Sequence, residues 1–169
     1  RLVRTSSRTP TTGPCAGLPN NDPAHVGCDP VPTGLAYGPG NTLYVSMLSA
    51  EAPGEGRVYV LDARTGAVRD VLSGFDGPTG VAVAPDGTVY VSEVLHGVLR
   101  GGPPPLDPSS VGRIVRVTPD GSRTHAAVPM PMGLDVHGGV VHATAWSIAG
   151  FLGLPDAGMV VAVAQSAFA

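Results

Sequence analysis

Similarity within the chain itself, at a spacing of 46 residues, restricts the choice of fold. The segment PTGLAYGPGNTLYVSM begins at Pro32 and the segment PTGVAVAPDGTVYVSE begins at Pro78, and they match at 9 of 16 positions without a gap. A third copy, PMGLDVHGGVVHATA, begins at Pro131 and keeps the proline, the glycine and the apolar alternation. Repeats of about 40 to 50 residues with strand character are typical of propellers and solenoids, so we expect an array of equivalent units.

Each unit is predicted to contain four short antiparallel strands. In the second unit, Pro85-Asp86-Gly87 and Pro119-Asp120-Gly121 separate runs of alternating apolar residues. Proline and aspartate favour a type I turn, and glycine supplies the positive φ that follows it. Strands rich in valine and poor in charge are expected where neighbours cover both faces of a sheet. No stretch shows useful helical periodicity, and the inner strands are predicted at residues 34–37, 80–84 and 133–136.

The predicted fold class is all-β, with roughly three four-stranded antiparallel blades of a six-bladed β-propeller. A propeller closes with about 4 to 8 blades, so three form an incomplete ring that requires the missing N-terminal blades. The predicted divisions are outer strands of a preceding blade with a cysteine-containing loop at 1–31, a blade at 32–76, a blade at 77–130 with a long insertion at 95–110, and a final blade lacking its closing strand at 131–169.

Composition and missing motifs exclude several classes of function. Charged residues are 14% of the chain, the net charge is -3, and all ten cationic side chains are arginines, which argues against nucleic-acid binding. No apolar run is long enough to span a membrane. The chain does not start with methionine, and we expect Arg1 to be an internal residue of a longer protein. GxSxG, HExxH, CxxC and Walker motifs are absent, so no machinery for covalent hydrolysis or nucleotide chemistry is visible.

The patterns PTGLA(Y/V)xPxxTLYV and GR(V/I)xRVxPDG resemble those of NHL and gluconolactonase-like six-bladed propellers. The chain is most similar to the ScyD/ScyE family of secreted bacterial proteins. The resemblance extends from Pro32 to Val163 and covers most of the chain. It implies a propeller fold and a secreted, extracellular protein, and it implies no particular chemistry because the motifs specify the fold.

Two cysteines, Cys15 and Cys28, flank a proline-rich segment that has no strand pattern. Because the resemblance implies export, we expect a disulfide between them that fixes this loop. Their spacing matches no familiar zinc pattern, and His25 alone would not complete a metal site.

Two carboxylates stand where the other repeats have uncharged residues. Asp135 replaces Ala36 and Ala82 on an inner strand, where it is expected to line the central channel, and Glu93 ends a strand just before the insertion. A buried carboxylate needs a hydrogen-bond partner, a cation or water. Gluconolactonase-like relatives hold a divalent cation in such a place. Under the alternative hypothesis that this protein binds Ca²⁺, Asp135 and Glu93 are therefore the candidate metal ligands.

The insertion and the other loops that follow second strands are predicted to open on one rim of the array. Long irregular loops at one end of a rigid scaffold are where binding groups accumulate. The candidate ligand-binding residues there are His96, Arg100, Trp146 and Phe151.

The leading hypothesis for function is therefore a secreted, non-catalytic scaffold without a cofactor. It would bind an unknown protein, glycan or small molecule through its rim. The first alternative is a divalent-metal-dependent, lactonase-like hydrolase with its ion in the channel. The second alternative is a structural protein of the cell envelope.

Overall fold

A computed structural model describes residues 30–49, 52–98 and 105–169. The predicted all-β fold is confirmed: the described residues form three antiparallel sheets, and they contain no α-helix. Short 3₁₀ helices lie in loops, and none of the described helices is long and apolar enough to cross a membrane. The strands are β1 (Pro32–Gly38), β2 (Thr42–Met47), β3 (Gly56–Asp62), β4 (Val68–Phe75), β5 (Pro78–Val83), β6 (Val89–Glu93), β7 (Arg113–Val117), β8 (Arg123–Ala126), β9 (Leu134–His137), β10 (Val140–Ala145) and β11 (Met159–Val163).

Each sheet is a meander in which strands adjacent in sequence are adjacent in space. The first sheet has the order β1-β2-β3-β4, the second β5-β6-β7-β8, and the third β9-β10-β11. The hairpins form as the turn chemistry predicts: Gly87 adopts φ +89° and Gly121 adopts φ +86°, the region that favours glycine. Asp86 accepts a hydrogen bond from the backbone N–H of Thr88 at 2.9 Å, which holds the first of these turns.

Side chains alternate along each strand, so every sheet has two faces. We call the face toward the preceding sheet the leading face and the face toward the following sheet the trailing face. The trailing face of the first sheet carries the cross-strand pair Ala36–Tyr44 together with Val58. They pack on a leading face of the second sheet that consists of valines: Val81, Val83, Val89, Val91, Val115 and Val117.

The second interface repeats the first with similar residues. The trailing face of the second sheet carries the equivalent pair Ala82–Tyr90 together with Ile114. These side chains pack on the leading face of the third sheet: Leu134, Val136, Val141, Ala143 and Val161. The second sheet is therefore covered on both faces, and it forms the centre of the described stack.

Hydroxyl groups of one sheet bond to the backbone at the start of the next sheet. Thr33 Oγ1 donates to the carbonyl of Pro78 at 3.0 Å, and Thr79 Oγ1 donates to the carbonyl of Pro131 at 3.1 Å. Ser92 Oγ donates to the carbonyl of Met132 at 2.7 Å. The two backbones lie very close together here. A Cβ built on Gly80 would lie only 2.0 Å from the Met132 carbonyl oxygen.

Large apolar side chains remain exposed on the outer faces of the end sheets. On the leading face of the first sheet, Leu35 is 69% exposed and Tyr37 is 75% exposed. On the trailing face of the third sheet, Val160 is 72% exposed. The positions equivalent to Leu35 and Val160 are buried or half-buried at the two internal interfaces. On the first sheet the exposure is confined to the inner strand, because Val45, Met47, Tyr59 and Leu61 of the same face are buried.

Candidate functional site

A buried carboxylate is the centre of a polar cluster at one end of the second sheet. Glu93 is the last residue of β6 and its side chain is completely buried. It lies opposite Arg113, the first residue of β7, and accepts a hydrogen bond from the Nε of this arginine. Its other oxygen accepts a bond from the backbone N–H of Asp76 at 2.8 Å. Burial of this charge is therefore compensated by a guanidinium and a backbone donor.

Two further residues complete the cluster, which we call the rim cluster: Asp76, Glu93, His96 and Arg113. Asp76 lies between β4 and β5, and its Oδ2 is 2.8 Å from Nδ1 of His96. Its Oδ1 accepts a bond of 2.7 Å from the backbone N–H of Gly54, so the carboxylate is fixed on both sides. Nδ1 of His96 also lies 3.9 Å from Glu93, and a third of the imidazole is exposed.

The donor set of the rim cluster partly fits a metal ion. One ligand atom each of Asp76, Glu93 and His96 lies within 4.8 Å of the others. However, Arg113 holds Glu93 and approaches Asp76 Oδ2 at 3.9 Å through Nη2. The guanidinium already supplies the positive charge that a cation would bring, and a cation bound beside it would be repelled. The geometry is that of a closed ion-pair network with one accessible imidazole.

Sequence reasoning found half of the rim cluster. It selected Glu93 and His96 for different roles, and the structure brings the two together. It missed Asp76 and Arg113. The arginine could have been found, because the Gly-Arg motif at the start of β7 repeats that of Arg57 in β3, which lies opposite Met47 as Arg113 lies opposite Glu93.

Asp135 lies elsewhere. It is on the trailing face of the third sheet, it is exposed, and it is outside the group formed by Asp76, Glu93 and His96. The equivalent residues Ala36 and Ala82 pack between sheets. The position thus lies on a face of the sheet. That Asp135 lines a central channel stays a prediction, because the three described sheets do not enclose one.

The carboxylates of the turn aspartates accept hydrogen bonds from nearby residues of the same chain. The backbone N–H of Thr88 holds the pKa of Asp86 below its usual value. The hydroxyl of Thr118, followed by the backbone N–H of Ser122, lowers the pKa of Asp120 in the same way. These carboxylate oxygens therefore serve their turns, as the turn chemistry predicts.

The remaining predicted rim residues differ in accessibility. Phe151 is 90% exposed and lies in the short 3₁₀ helix of the loop between β10 and β11. Trp146 is half-buried and packs against a small apolar cluster under the rim loops, which contains Val94, Val111 and Met130. Leu106, in the insertion, is fully exposed. Arg100, Cys15 and Cys28 lie outside the described residues, so the predictions about them stay predictions.

Comparison with known proteins supports the fold. No family model matches the chain, and no curated protein matches its sequence. Among solved structures, it is similar to hydrazine synthase of Kuenenia stuttgartiensis, with 22% identity and a TM-score of 0.50 over 69% of this chain and 29% of that one. It is also similar to a chain of a nidogen/laminin complex, with 16% identity and a TM-score of 0.53 over 85% of this chain and 47% of that one.

These likenesses show a β-propeller architecture and, at such identities, the fold alone. The chain spans less than half the length of the solved chains it matches. Three sheets therefore correspond to part of a propeller.

Proposed function

We propose that this protein is a secreted, non-catalytic β-propeller scaffold of the ScyD/ScyE type that binds a partner through its rim loops. The observation that carries the proposal is the exposure of Phe151, at 90%, on a loop whose base is fixed by a buried apolar cluster. Leu106 is a second exposed anchor, on the insertion of the neighbouring sheet. Aromatic side chains presented on rigid supports are typical anchors of protein interfaces, which favours a protein partner over a glycan or a small molecule.

The support beneath these anchors favours binding without large rearrangement. Met130 and Ala149 are buried in the cluster under the rim, and Trp146 packs on the same cluster. The backbone N–H of Trp146 donates to the carbonyl of Pro129 at 2.7 Å, which joins this loop to the start of the third sheet. A loop held in this way loses little conformational entropy on binding.

Affinity capture with defined variants tests the proposal. The chain is immobilised in three forms: unchanged, Phe151→Ser, and Val68→Ser, which changes an exposed apolar residue on β4 away from the rim. Each form is exposed to the extracellular protein fraction of the source organism, and bound proteins are quantified. A partner retained by the unchanged and Val68→Ser forms and lost by Phe151→Ser supports rim binding. Identical captured sets for all three forms contradict it.

The convergence of Asp76, Glu93 and His96 favours a second candidate, a metal-dependent lactonase-like hydrolase. Calorimetric titration with Ca²⁺, with Asp76→Asn as the matched variant, decides between the two. Because Arg113 is already hydrogen-bonded to the Glu93 carboxylate, which a metal ion would need as a ligand, we expect no saturable binding of Ca²⁺ in either form. Tight binding that disappears in the variant, together with lactone hydrolysis, would establish the hydrolase instead.

Export also implies a disulfide bond between Cys15 and Cys28. We propose that this bond stabilises the segment that precedes the first sheet. Mass spectrometry of the exported protein under non-reducing conditions tests it. The expected mass is two hydrogens below that of the reduced chain, and two free thiols would contradict the bridge.

A further inference from the structure

The segment Gln165–Ala169 fills a groove between the second and third sheets, which we call the second groove and which Tyr90 and Arg116 border. Phe168 is buried in it, and the centroid of its ring lies 5.5 Å from that of Tyr90. The guanidinium of Arg116 lies over the same ring, 5.2 Å from its centroid. The side-chain oxygen of Gln165 accepts hydrogen bonds from the Tyr90 hydroxyl at 3.2 Å and from Arg116 at 3.4 Å. The second groove thus holds an aromatic anchor and a polar side chain three residues before it.

The same segment also pairs with the outer strand of the second sheet. His125 in β8 donates its backbone N–H to the carbonyl of Ala169 at 3.1 Å, and its carbonyl accepts the N–H of Ala169 at 3.2 Å. A reciprocal pair of this kind is the pattern of neighbouring antiparallel strands. Backbone pairing at a sheet edge, combined with a pocket for one side chain, is the general mode of peptide recognition by strand addition.

An equivalent groove lies between the first and second sheets, and it is open. This first groove is a cavity of about 220 Å³, and the turn residues Gly87 and Pro119 border it, so it lies at the end of the sheets opposite the rim loops. Tyr44 stands at the place of Tyr90, since each lies opposite an inner-strand alanine. Tyr44 is half-buried, whereas Tyr90 is 4% exposed, and the Tyr44 hydroxyl makes no hydrogen bond within the described part of the chain. The apolar lining consists of Val60, Leu72, Val89 and Val117.

The edge of β4 beside the first groove has no partner strand among the described residues. Val71 stands here at the place of His125, as the cross-strand registers of the two sheets show. Its backbone N–H bonds to the carboxylate of the adjacent residue, Asp70, at 2.8 Å. A peptide strand that accepted this N–H would therefore release the Asp70 carboxylate for another donor.

The polar residues of the two grooves differ in charge. Arg116 of the second groove is replaced by Val60 in the first, and Thr124, which lies opposite Arg116, is replaced by Asp70. In the second groove, the wall supplies the cation and the segment supplies the acceptor, Gln165. In the first groove, the wall supplies a carboxylate. An occupant therefore gains from a cationic side chain at the place of Gln165, and an acidic one there is repelled.

We propose that the first groove binds an extended peptide segment of a partner protein that carries an aromatic residue and, three residues before it, a lysine or arginine. The aromatic ring packs on Tyr44 and Leu72, the backbone pairs with Val71, and the cation makes a charge-assisted hydrogen bond to Asp70. The chain's own segment, with glutamine at the place of the cation, matches the second groove instead. This site is separate from the rim, and it does not depend on binding there.

Peptide titrations test the site directly. The probes are three hexapeptides with blocked ends that follow residues 164–169: one has lysine in place of Gln165, one has glutamate there, and one combines the lysine with alanine in place of Phe168. Methyl NMR signals of Leu72 and Val89 report on the first groove, and those of Ile114 and Val141 report on the second. We expect the lysine peptide to shift the signals of the first groove saturably. The alanine peptide should bind at least about tenfold more weakly and the glutamate peptide at least about threefold more weakly.

Two kinds of result would overturn the proposal. One is that the signals of Leu72 and Val89 stay unchanged up to about 10 mM of the lysine peptide, or shift equally with all three peptides. The other is that the shifts are confined to Ile114 and Val141, because the peptide would then only exchange with the chain's own segment.

A reversal of charge tests the role of Asp70. Asp70 is exposed, so Asp70→Lys is expected to leave the fold intact. This variant should bind the glutamate peptide more tightly than the lysine peptide, the reverse of the unchanged chain. The control Asp156→Lys makes the same change of charge in the loop between β10 and β11, and it should keep the original preference. If Asp70→Lys also keeps that preference, Asp70 does not select a cation and the proposal is wrong.

Discussion

At the scale of single residues, the rim cluster is an ion-pair network around the buried carboxylate of Glu93, which Arg113 and the backbone N–H of Asp76 hold in place. Glu93 stands out because the other repeats have Met47 and Ala145 at its position, and its cross-strand partner Arg113 follows from the meander. Asp76 could not be found in this way. It belongs to the connection between two sheets, and its approach to His96 depends on how those sheets stack.

Loss of the arginine should destabilise the fold strongly. Arg113→Met leaves the fully buried Glu93 carboxylate with only a backbone donor. Breaking a buried pair from one side costs about 3 to 5 kcal/mol, and because Arg113 remains partly exposed we expect about 3 kcal/mol. Chemical denaturation followed by circular dichroism measures the change in the free energy of unfolding.

The double variant Glu93→Met/Arg113→Met is the matched control for this experiment. It removes both charges and places methionine where the first sheet has Met47, which is itself buried. We expect its stability to lie within about 1 kcal/mol of the unchanged chain, since an apolar pair can replace a buried ion pair. A double variant as unstable as Arg113→Met would contradict this account.

An exposed turn gives a prediction about pH. The backbone N–H of Thr65, followed by the Arg69 side chain, holds the pKa of Asp62 well below its usual value. A lowered pKa means that the ionised carboxylate stabilises the fold above the pKa of the unfolded chain, and that this contribution is lost as the pH falls toward the folded value. Asp62→Asn should therefore lower the denaturation midpoint at pH 7 and lower it less at about pH 3. A difference that is independent of pH would exclude the ionised form as the cause.

At the scale of strands and sheets, the turns and strand positions were predictable because local chemistry decides them. Proline, aspartate and glycine set the hairpins, and valine alternation sets the strands. The partner of each face was not predictable in this way. Asp135 stands at the position of Ala36 and Ala82, which pack between sheets, and the alternation alone does not show what lies opposite it. A strand pattern gives the alternation of faces, and only the stack shows what lies opposite each face.

Two equivalent glycines test the close contact between inner strands. A Cβ at Gly80 would lie 2.0 Å from a backbone carbonyl of the third sheet, whereas a Cβ at Gly133 would lie 3.5 Å from its nearest neighbour, Thr144. Gly80→Ala should therefore cost about 2 to 3 kcal/mol of stability, at the upper end of the range for overpacking, and Gly133→Ala less than about 1 kcal/mol. Thermal and chemical denaturation of both variants compare them directly. Equal losses would mean that the close approach of the second and third sheets does not limit the size of the residue at position 80.

At the scale of the whole molecule, the repeat predicted how many blades the chain contains and that they stack. It did not predict how the end faces differ from the internal ones. The second sheet is covered on both sides, and Leu35, Tyr37 and Val160 remain exposed on the outer faces. For this reason we expect the isolated chain to self-associate as its concentration rises, since both ends expose apolar side chains and sheet edges.

Hydrogen exchange should reveal this asymmetry within a single molecule. The strands β6 and β10 are well matched, because each is hydrogen-bonded on both sides by neighbouring strands of its own sheet. They differ in that the sheet of β6 is covered on both faces and the sheet of β10 on one. Local opening is governed by buried apolar contact, so amides of β10 should exchange at least about tenfold faster than those of β6. Measurement at a concentration where the chain is monomeric avoids protection by association. Equal protection of the two strands would mean that all three sheets unfold as one unit, and that the uncovered face does not weaken the third sheet.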